Sequence, residues 1–336
     1  MAPTLCVCVD DHISDAVVEI LEKKLEGIAP VIVSGADVSC FTAVKAENDG
    51  IVMVVSGSCA HAVIKDLCDD YGKEVRRVRF IYSLTAGVDA YRLSELKQEL
   101  SNIVFCNAQG CYSNILAEHV AFCMLYFNRF PWRMVASKNE KKWDRFSNIE
   151  LRRQRVVIIG YGHIGQACGE KAAALGMQVI GIRSTGDNTV DRFGIMVRGN
   201  DAIDESVRDA DFVVGVMPGT ERTKHFFNTK FFSKMKPSAV FINIGRGASQ
   251  CEADIVEALK KGTIRAAALD VFEVEPLPAD SPLWDIPDSK LLLTAHSATL
   301  TDNILDRAAD IFIDILHEFQ TRGTVSAHTV CVEKGY

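Results

Sequence analysis

Short apolar runs alternate with amphipathic helical stretches along most of the chain. In the first third, helical periodicity covers Ser14 to Leu25, His61 to Cys68 and Tyr91 to Leu100. The apolar runs predict five strands, at Leu5 to Val9, Pro30 to Val33, Ile51 to Val55, Phe80 to Leu84 and Ile103 to Cys106. Strands that alternate with helices predict an α/β unit with a mostly parallel sheet.

A longer helical pattern begins at Ser113. Apolar residues recur at helical spacing as far as Phe127, no stop signal occurs before Pro131, and the pattern leads toward Trp132 and Trp143. It predicts one long helix between two α/β units. The tryptophans favour a contact between subunits over a contact between domains.

The next apolar run, Val156 to Ile159, leads directly into the G-x-G-x-x-G pattern of Gly160 to Gly165. A helix is predicted at Ile164 to Leu175 and a further strand at Met177 to Ile182. A dinucleotide's pyrophosphate needs a tight turn, close approach of the backbone and free N–H groups at a helix N-terminus. This strand, turn and helix supply all three, so the stretch predicts a dinucleotide site.

The remaining pattern predicts a doubly wound sheet around that turn. Its further strands are expected at Phe212 to Met217, Ala239 to Ile242, Ala266 to Leu269 and Leu291 to Leu293, with a helix at Glu252 to Lys261. The final amphipathic helix, Thr301 to Arg322, is expected to return and pack on the first unit. We therefore expect residues 107–297 to form a domain inserted into one made of residues 1–106 and 298–336.

Composition limits the function classes. The 336 residues are 48% hydrophobic and 24% charged, as in a soluble protein of two domains, and no apolar run could span a bilayer. The net charge of −7 argues against nucleic acid or an anionic membrane as a partner. The 11 cysteines include no C-x-x-C pair and the first residues lack a signal-peptide pattern, so we expect a cytoplasmic protein with buried thiols and no metal site.

Three residues that could do chemistry follow predicted strands of the inserted domain. They are Arg246, Glu275 and His296. Taken singly, each fits a surface cation, a loop carboxylate or a histidine in a turn. Ligands of open α/β sheets bind at the carboxyl ends of the strands, so the shared position of the three favours one site.

The sequence resembles the D-isomer-specific 2-hydroxyacid dehydrogenases over nearly the whole chain, and in particular the glyoxylate/hydroxypyruvate reductases. The resemblance depends on six ordered blocks: Tyr82 to Asp89, Gly160 to Gly165, Met217 to Thr223, Ile242 to Gly247, Leu269 to Pro276 and Thr294 to His296. It implies an α/β protein with two doubly wound domains, a Rossmann cofactor domain inserted into a smaller flavodoxin-like substrate domain. It also implies a homodimer.

The resemblance implies a role for each candidate. Arg246 would bind the substrate carboxylate and polarise the ketone, His296 would donate the proton, and Glu275 would orient the imidazole. The backbone N–H groups of Ala86 and Gly87 would complete the carboxylate site. Cofactor contacts are implied at Gly160, Gly162, His163, Ile164, Gly165, Met217, Pro218, Thr223, Ile244 and Asp270, the last orienting the nicotinamide carboxamide.

For Gly87, Met217 and Pro218 a purely structural role in turns and strand ends is the alternative. One departure from the family pattern is Ala295, which stands where proline usually precedes the histidine and so questions the rigidity of that loop.

The second strand of the fingerprint unit bears on cofactor choice. It ends Gly181-Ile182-Arg183-Ser184-Thr185, where an NAD-preferring relative would place a carboxylate for the ribose hydroxyls. A guanidinium with adjacent hydroxyls suits a 2′-phosphate, so we expect NADP(H) to be preferred to NAD(H) through Arg183, Ser184 and Thr185. In the alternative, Arg183 is a surface residue and Asp187 binds the ribose.

The expected activity is therefore NAD(P)H-dependent reduction of a small 2-oxo acid of the glyoxylate/hydroxypyruvate class to the D-2-hydroxy acid, or the reverse. A dinucleotide-sensing corepressor with the same fold is the alternative from another class. Formate dehydrogenase chemistry fits less well, because Glu275 would then tend to be an amide.

Overall fold

The computed structural model describes residues 4–26, 31–46, 50–73, 75–186, 188–333 and 335. Pro30, at the start of one predicted strand, and Asp187, the alternative ribose ligand, lie outside these residues. The chain divides into two compact units, Met1–Tyr112 with Thr301–Tyr336 and Ser113–Leu300. The first division falls beyond the expected edge at residue 107 because Asn107 pairs with Ser83 in the first unit's sheet.

The first unit contains a five-stranded parallel sheet in the order β2-β1-β3-β4-β5. The strands are β1 (Thr4–Cys8), β2 (Val31–Gly35), β3 (Ile51–Val55), β4 (Val78–Ser83) and β5 (Val104–Asn107). This order is that of the flavodoxin-like doubly wound fold. Residues of β3 are buried at all five positions, as expected for a parallel strand covered on both faces.

Helices cover both faces of this sheet. They are α1 (Asp11–Lys24), α2 (Thr42–Lys45), α3 (Ala60–Leu67) and α10 (Ile304–Arg322). Alternate residues of β1 enter different cores: Leu5 and Val7 pack in the cluster that includes α1 and α10, whereas Cys6 and Cys8 pack in the one that includes α3. The hydroxyl of Tyr82 on β4 donates to the Ala308 carbonyl of α10 over 2.8 Å.

The helix predicted at Tyr91 to Leu100 is wrong. Two single 3₁₀ turns, Asp89–Tyr91 and Leu93–Glu95, stand there instead. Arg92 between them has φ +46°, in the left-handed region, which cannot continue a right-handed helix. The apolar residues that mimicked a helical face still enter the core, through Leu93, Leu96 and Leu100.

The second unit is built on an eight-stranded sheet in the order β13-β12-β11-β10-β6-β7-β9-β8. All neighbours are parallel except β8 and β9. The strands are β6 (Arg155–Ile159), β7 (Gln178–Ile182), β8 (Thr189–Val190), β9 (Met196–Arg198), β10 (Phe212–Gly215), β11 (Val240–Asn243), β12 (Ala266–Leu269) and β13 (Leu291–Leu293). The run β9-β7-β6-β10-β11-β12 reproduces the 3-2-1-4-5-6 order of the Rossmann fold. The two-domain α/β architecture expected from the sequence is therefore confirmed.

The helices of the second unit differ from expectation at one place. They are α4 (Ser113–Arg129), α5 (Pro131–Asn139), α6 (His163–Ala174), α7 (Ile203–Arg208), α8 (Thr229–Phe232) and α9 (Glu252–Lys261), with 3₁₀ turns at Asn200–Ala202 and Gly247–Ser249. The long helix predicted from Ser113 is broken at Phe130, which has φ +54°, and Pro131 then starts α5. The β8–β9 hairpin was not predicted because two- and three-residue strands carry too little periodicity.

A helix that crosses a bilayer must be long and apolar. None of the helices formed by the described residues is both long and apolar enough to cross one.

Candidate active site

The glycine-rich turn leaves β6 and enters α6, as the fingerprint predicts. Gly160 has φ +102°, a conformation that favours glycine, and a Cβ there would overlap the carbonyl oxygen of Val216. A Cβ at Gly165 would overlap the Gly160 carbonyl oxygen, so Gly165 permits close packing of helix on strand. Gly162, the N-cap of α6, differs: a Cβ there would meet no protein atom within 4 Å. The space over Gly162, at the N-terminus of α6, fits a pyrophosphate.

The loops after β10 and β11 lie against this turn. Ile244 donates its N–H to the Gly215 carbonyl, and a Cβ at Gly245 would lie 2.7 Å from the carbonyl oxygen of Met217. Met217 and Ile244 are buried, whereas Pro218 is exposed. The Thr223 hydroxyl closes its own loop by donating to the Pro218 carbonyl over 2.7 Å. These residues therefore shape the edge of the sheet at which β6, β10 and β11 end.

Arg246 follows β11 at the same edge and is half-buried. Its Nη1 donates to the Gly245 carbonyl over 2.8 Å, which fixes one side of the guanidinium fork. A Cβ at Gly219 would come within 3.3 Å of the Arg246 Cγ, so the loop after β10 packs on its aliphatic stem. The next residue, Gly247, lies so close to the Phe272 carbonyl that no side chain fits between them.

A buried polar network holds the Arg246 loop, and sequence reasoning missed it. The Asn243 amide donates to Gln250 Oε1 over 2.8 Å, and Gln250 Nε2 donates to the Val271 carbonyl over 2.9 Å. The Ser249 hydroxyl donates to the Arg246 carbonyl over 2.6 Å. All three side chains are fully buried, where unpaired polar groups would be costly. Asparagine at the end of the otherwise apolar β11 was the available signal.

His296 and Glu275 are in direct contact. The imidazole Nδ1 lies 2.7 Å from Glu275 Oε2, and Glu275 Oε1 accepts the Phe272 N–H over 2.9 Å. The His296 backbone has φ +48°, a left-handed conformation that histidine adopts more readily than most residues but that still needs support. Since Nδ1 is committed to the carboxylate, Nε2 is the nitrogen that can face a ligand.

Asp270 stabilises the backbone conformation of the His296 loop, a role that the sequence did not predict. Its buried carboxylate accepts from the Thr294 hydroxyl over 2.7 Å and from the Ser297 and Ala298 N–H groups, and its carbonyl accepts the His296 N–H over 2.8 Å. The loop on either side of His296 is thus tied to the end of β12. These bonds rigidify a loop that has Ala295 instead of proline.

The carboxylates of Glu252 and Glu273 lie near Glu275. Glu273 lies 2.7 Å from His225 Nε2, and its backbone N–H donates to Glu252 at the start of α9 over 2.6 Å. Burial, together with the nearby charges of Glu273 and Glu275, raises the pKa of the Glu252 carboxyl. On the other side, burial lowers the pKa of His119 on α4, and the Asp270 charge opposes that shift.

The remaining predicted residues lie in two further places. Arg183, Ser184 and Thr185 follow β7 and are exposed, and Arg183 is anchored through its N–H to the Arg198 carbonyl on β9. Ala86 and Gly87 belong to the first unit, where Asn107 and Thr85 bond to their carbonyls. Among the described residues, their N–H groups have no protein acceptor, as a backbone anion site requires.

Known proteins resemble this chain in sequence and in fold. Residues 121–298 match the family model described as D-isomer specific 2-hydroxyacid dehydrogenase, NAD binding domain. The chain is 32% identical to glyoxylate/hydroxypyruvate reductase B of Pectobacterium atrosepticum, over 68% of this chain and 72% of that protein. It is 30% identical to D-3-phosphoglycerate dehydrogenase of Methanocaldococcus jannaschii over 85% of this chain, but the match spans only 52% of that longer protein.

A solved structure shares the fold over almost the whole chain. It is the NADPH-dependent glyoxylate/hydroxypyruvate reductase of Sinorhizobium meliloti in complex with NADP and sulfate, which is 27% identical with a TM-score of 0.78, over 99% of this chain and 100% of that chain. Together with the match over residues 121–298 and the similarity to the Pectobacterium reductase, it bears out the resemblance drawn from the six sequence blocks. The chain belongs to the D-isomer specific 2-hydroxyacid dehydrogenase family of oxidoreductases.

Proposed function

We propose that the protein reduces a small 2-oxo acid of the glyoxylate/hydroxypyruvate class to the D-2-hydroxy acid with NADPH, in a reversible reaction. The observation that carries the proposal is the His296–Glu275 contact of 2.7 Å. It lies at the same edge of the sheet as the glycine-rich turn and Arg246, because all of them are in loops that follow the carboxyl ends of parallel strands. A proton donor and a carboxylate-binding cation therefore stand at the edge where this fold binds a dinucleotide.

Arg246 binds the substrate carboxylate in this proposal. Its guanidinium is half-buried, one of its nitrogens is held by the Gly245 carbonyl, and its planar fork suits a carboxylate. The buried network of Asn243, Ser249 and Gln250 fixes the loop that carries this cation. The N–H groups of Ala86 and Gly87 are proposed as further donors to a carboxylate.

His296 supplies the proton. When bound, the nicotinamide supplies the hydride that adds to C2 of the substrate. The ketone oxygen gains negative charge as the C–O double bond becomes single, and His296 donates its Nε2 proton to that oxygen. One hydride and one proton added to a 2-oxo acid give the 2-hydroxy acid. Glu275 holds the imidazole ring in position through its contact with Nδ1 of His296.

The preference for NADPH is supported by the end of β7. Arg183, Ser184 and Thr185 are exposed there, beside the glycine-rich turn, where the fold places the adenosine ribose. An arginine and two hydroxyl-bearing residues suit a 2′-phosphate. The Sinorhizobium relative is described as NADPH-dependent and binds NADP in its structure.

The test is a panel of 2-oxo acids assayed with both cofactors by the absorbance of the reduced nicotinamide. We expect a higher kcat/KM with NADPH than with NADH, and we expect Arg183→Asp to lower mainly the NADPH value. Equal or better efficiency with NADH would contradict the Arg183 assignment and favour Asp187 as the ribose ligand. Cofactor binding without oxidation by any 2-oxo acid would instead favour a dinucleotide-sensing corepressor.

A homodimer is part of the same proposal. The second unit exposes large apolar side chains on α4, α5 and the segment that follows: Phe122, Met134, Val135 and Trp143, the last 92% exposed. Such a surface is typical of a subunit contact. In sedimentation velocity experiments the wild type should be a dimer. The variant Val135→Glu should shift toward the monomer. A monomeric wild type would contradict the proposal.

A further inference from the structure

A polar pocket lies beside the glycine-rich turn, at the carboxyl end of β7. Its volume is about 390 Å³, and its walls are the turn, the start of α6, the end of β7 and the β8–β9 hairpin. Two of its side chains carry guanidinium groups: Arg183, directly after β7, and Arg192, in the turn of the hairpin. His163 and Gln166 of α6 line the side nearer the glycines. Arg183 was predicted from the sequence, whereas Arg192 was not.

The hairpin is fixed to the glycine-rich turn through Tyr161. The Tyr161 ring is buried and fills the space that a Cβ at Gly181 would need. Its hydroxyl donates to Asp191 Oδ2 over 2.8 Å. Asp191 Oδ1 in turn accepts the N–H groups of Phe193 and Ile195, both over 2.9 Å, which shapes the turn of the hairpin. Arg192 is therefore held at a set place relative to the cofactor fingerprint.

The charges of the pocket favour an anion. Among the described residues that line the pocket, the one carboxylate is that of Asp191, and its two oxygens already accept three hydrogen bonds, which compensate its charge. The Arg192 guanidinium lies 4.6 Å from the centre of the Phe193 ring, so its face is packed and its N–H edge can still donate. Among the described residues, neither Arg183 nor Arg192 forms an ion pair with a carboxylate.

We infer that Arg192 is a second specificity-determining residue for NADPH and binds the 2′-phosphate together with Arg183. This inference rests on the proposed use of NADPH. A phosphate monoester carries a charge of about −2 near neutral pH, and guanidinium groups bind its oxygens through paired N–H donors. NADH lacks that phosphate and gains nothing from Arg192. The β8–β9 hairpin thus supplies a second cation that distinguishes NADPH from NADH, in addition to Arg183 at the end of β7.

The experiment measures equilibrium binding of NADPH and of NADH to the full chain, by fluorescence titration, for the wild type and for Arg192→Ala. The matched control is Arg208→Ala, at the end of α7. Arg208 is exposed and its neighbour Asp209 pairs with Arg155 at the start of β6, so it stands at the opposite edge of the sheet. We expect Arg192→Ala to weaken NADPH binding about tenfold and NADH binding by less than about twofold. Arg208→Ala should change neither.

Salt gives a second readout. The ratio of NADPH to NADH affinity should fall with ionic strength in the wild type and less steeply in Arg192→Ala, because one of two screened cations is then missing. An NADPH affinity of Arg192→Ala equal to that of Arg208→Ala would overturn the inference. An equal loss of NADPH and NADH binding would overturn it too, since that result indicates a disturbed hairpin.

Turnover separates this inference from the proposed function. If the wild type oxidises NADPH with a 2-oxo acid and Arg192→Ala binds NADPH normally, only the inference fails. If the wild type turns over no 2-oxo acid, the proposed function fails, and the NADPH binding of Arg192→Ala still decides the inference.

Discussion

Replacement of Glu275 by glutamine tests the His296–Glu275 pair most directly. The glutamine oxygen can still accept the Phe272 N–H, now bonded over 2.9 Å, so the loop should keep its shape. The amide carries no charge, and its NH₂ group cannot accept a hydrogen bond from Nδ1 of His296. The substitution therefore removes one charge-assisted hydrogen bond of 2.7 Å and little else.

The size of the effect follows from the exposure of the pair. A hydrogen bond to a charged group contributes about 1.5 to 3 kcal/mol, and the lower end applies because the two side chains are 44% and 36% exposed. About 1.5 kcal/mol corresponds to roughly a tenfold lower kcat. KM for the 2-oxo acid should change by less than about twofold, since we place Glu275 in contact with the imidazole and not with the substrate.

The assay is steady-state oxidation of NADPH at saturating cofactor, with the oxo acid varied. The control is Glu273→Gln, two residues earlier, whose carboxylate contacts His225 and not His296. It removes the same charge from the same segment and should leave kcat nearly unchanged. A wild-type kcat in Glu275→Gln, or a loss found only in KM, would refute the role that we assign to the pair.

Three further outcomes are expected. His296→Ala should lower kcat by roughly a hundred- to ten-thousandfold, as is typical of a lost general acid. NADPH should still bind to this variant in a titration. Undiminished turnover would exclude His296 as the proton donor. Gly162→Ala should keep the wild-type melting temperature but weaken NADPH binding, because its Cβ would enter the space proposed for the pyrophosphate. Gly165→Ala should have a lower melting temperature, because its Cβ would overlap the Gly160 carbonyl. Unchanged NADPH binding in Gly162→Ala would place the pyrophosphate elsewhere. The raised pKa of Glu252 in the folded protein makes the free energy of unfolding fall as the pH rises from the ordinary value of 4.5 through the raised one. Glu252→Gln should therefore gain stability relative to the wild type with rising pH in urea titrations, and a constant difference between the two proteins would contradict the assignment.

Apolar runs were enough to predict most strands. A parallel strand buried on both faces must be apolar at its buried positions, as in β3 and in Val156 to Ile159 of β6, and such runs stand out from the surrounding sequence. The predicted secondary structure was wrong where the local hydrophobic pattern and the backbone conformation disagree. Leu93, Leu96 and Leu100 have helical spacing, but Arg92 adopts a left-handed conformation and the segment folds as separate turns.

The sequence by itself determined which residues stand at the ends of strands, and so proposed Arg246, Glu275 and His296 as one group. It could do so because parallel strands bring their carboxyl ends to one edge. Only the tertiary structure decided how those residues are held. Asp270 binds the His296 loop, Gln250 braces the Arg246 loop, and Tyr161 fixes the hairpin of Arg192. These are hydrogen bonds between residues far apart in sequence, and no local periodicity encodes them.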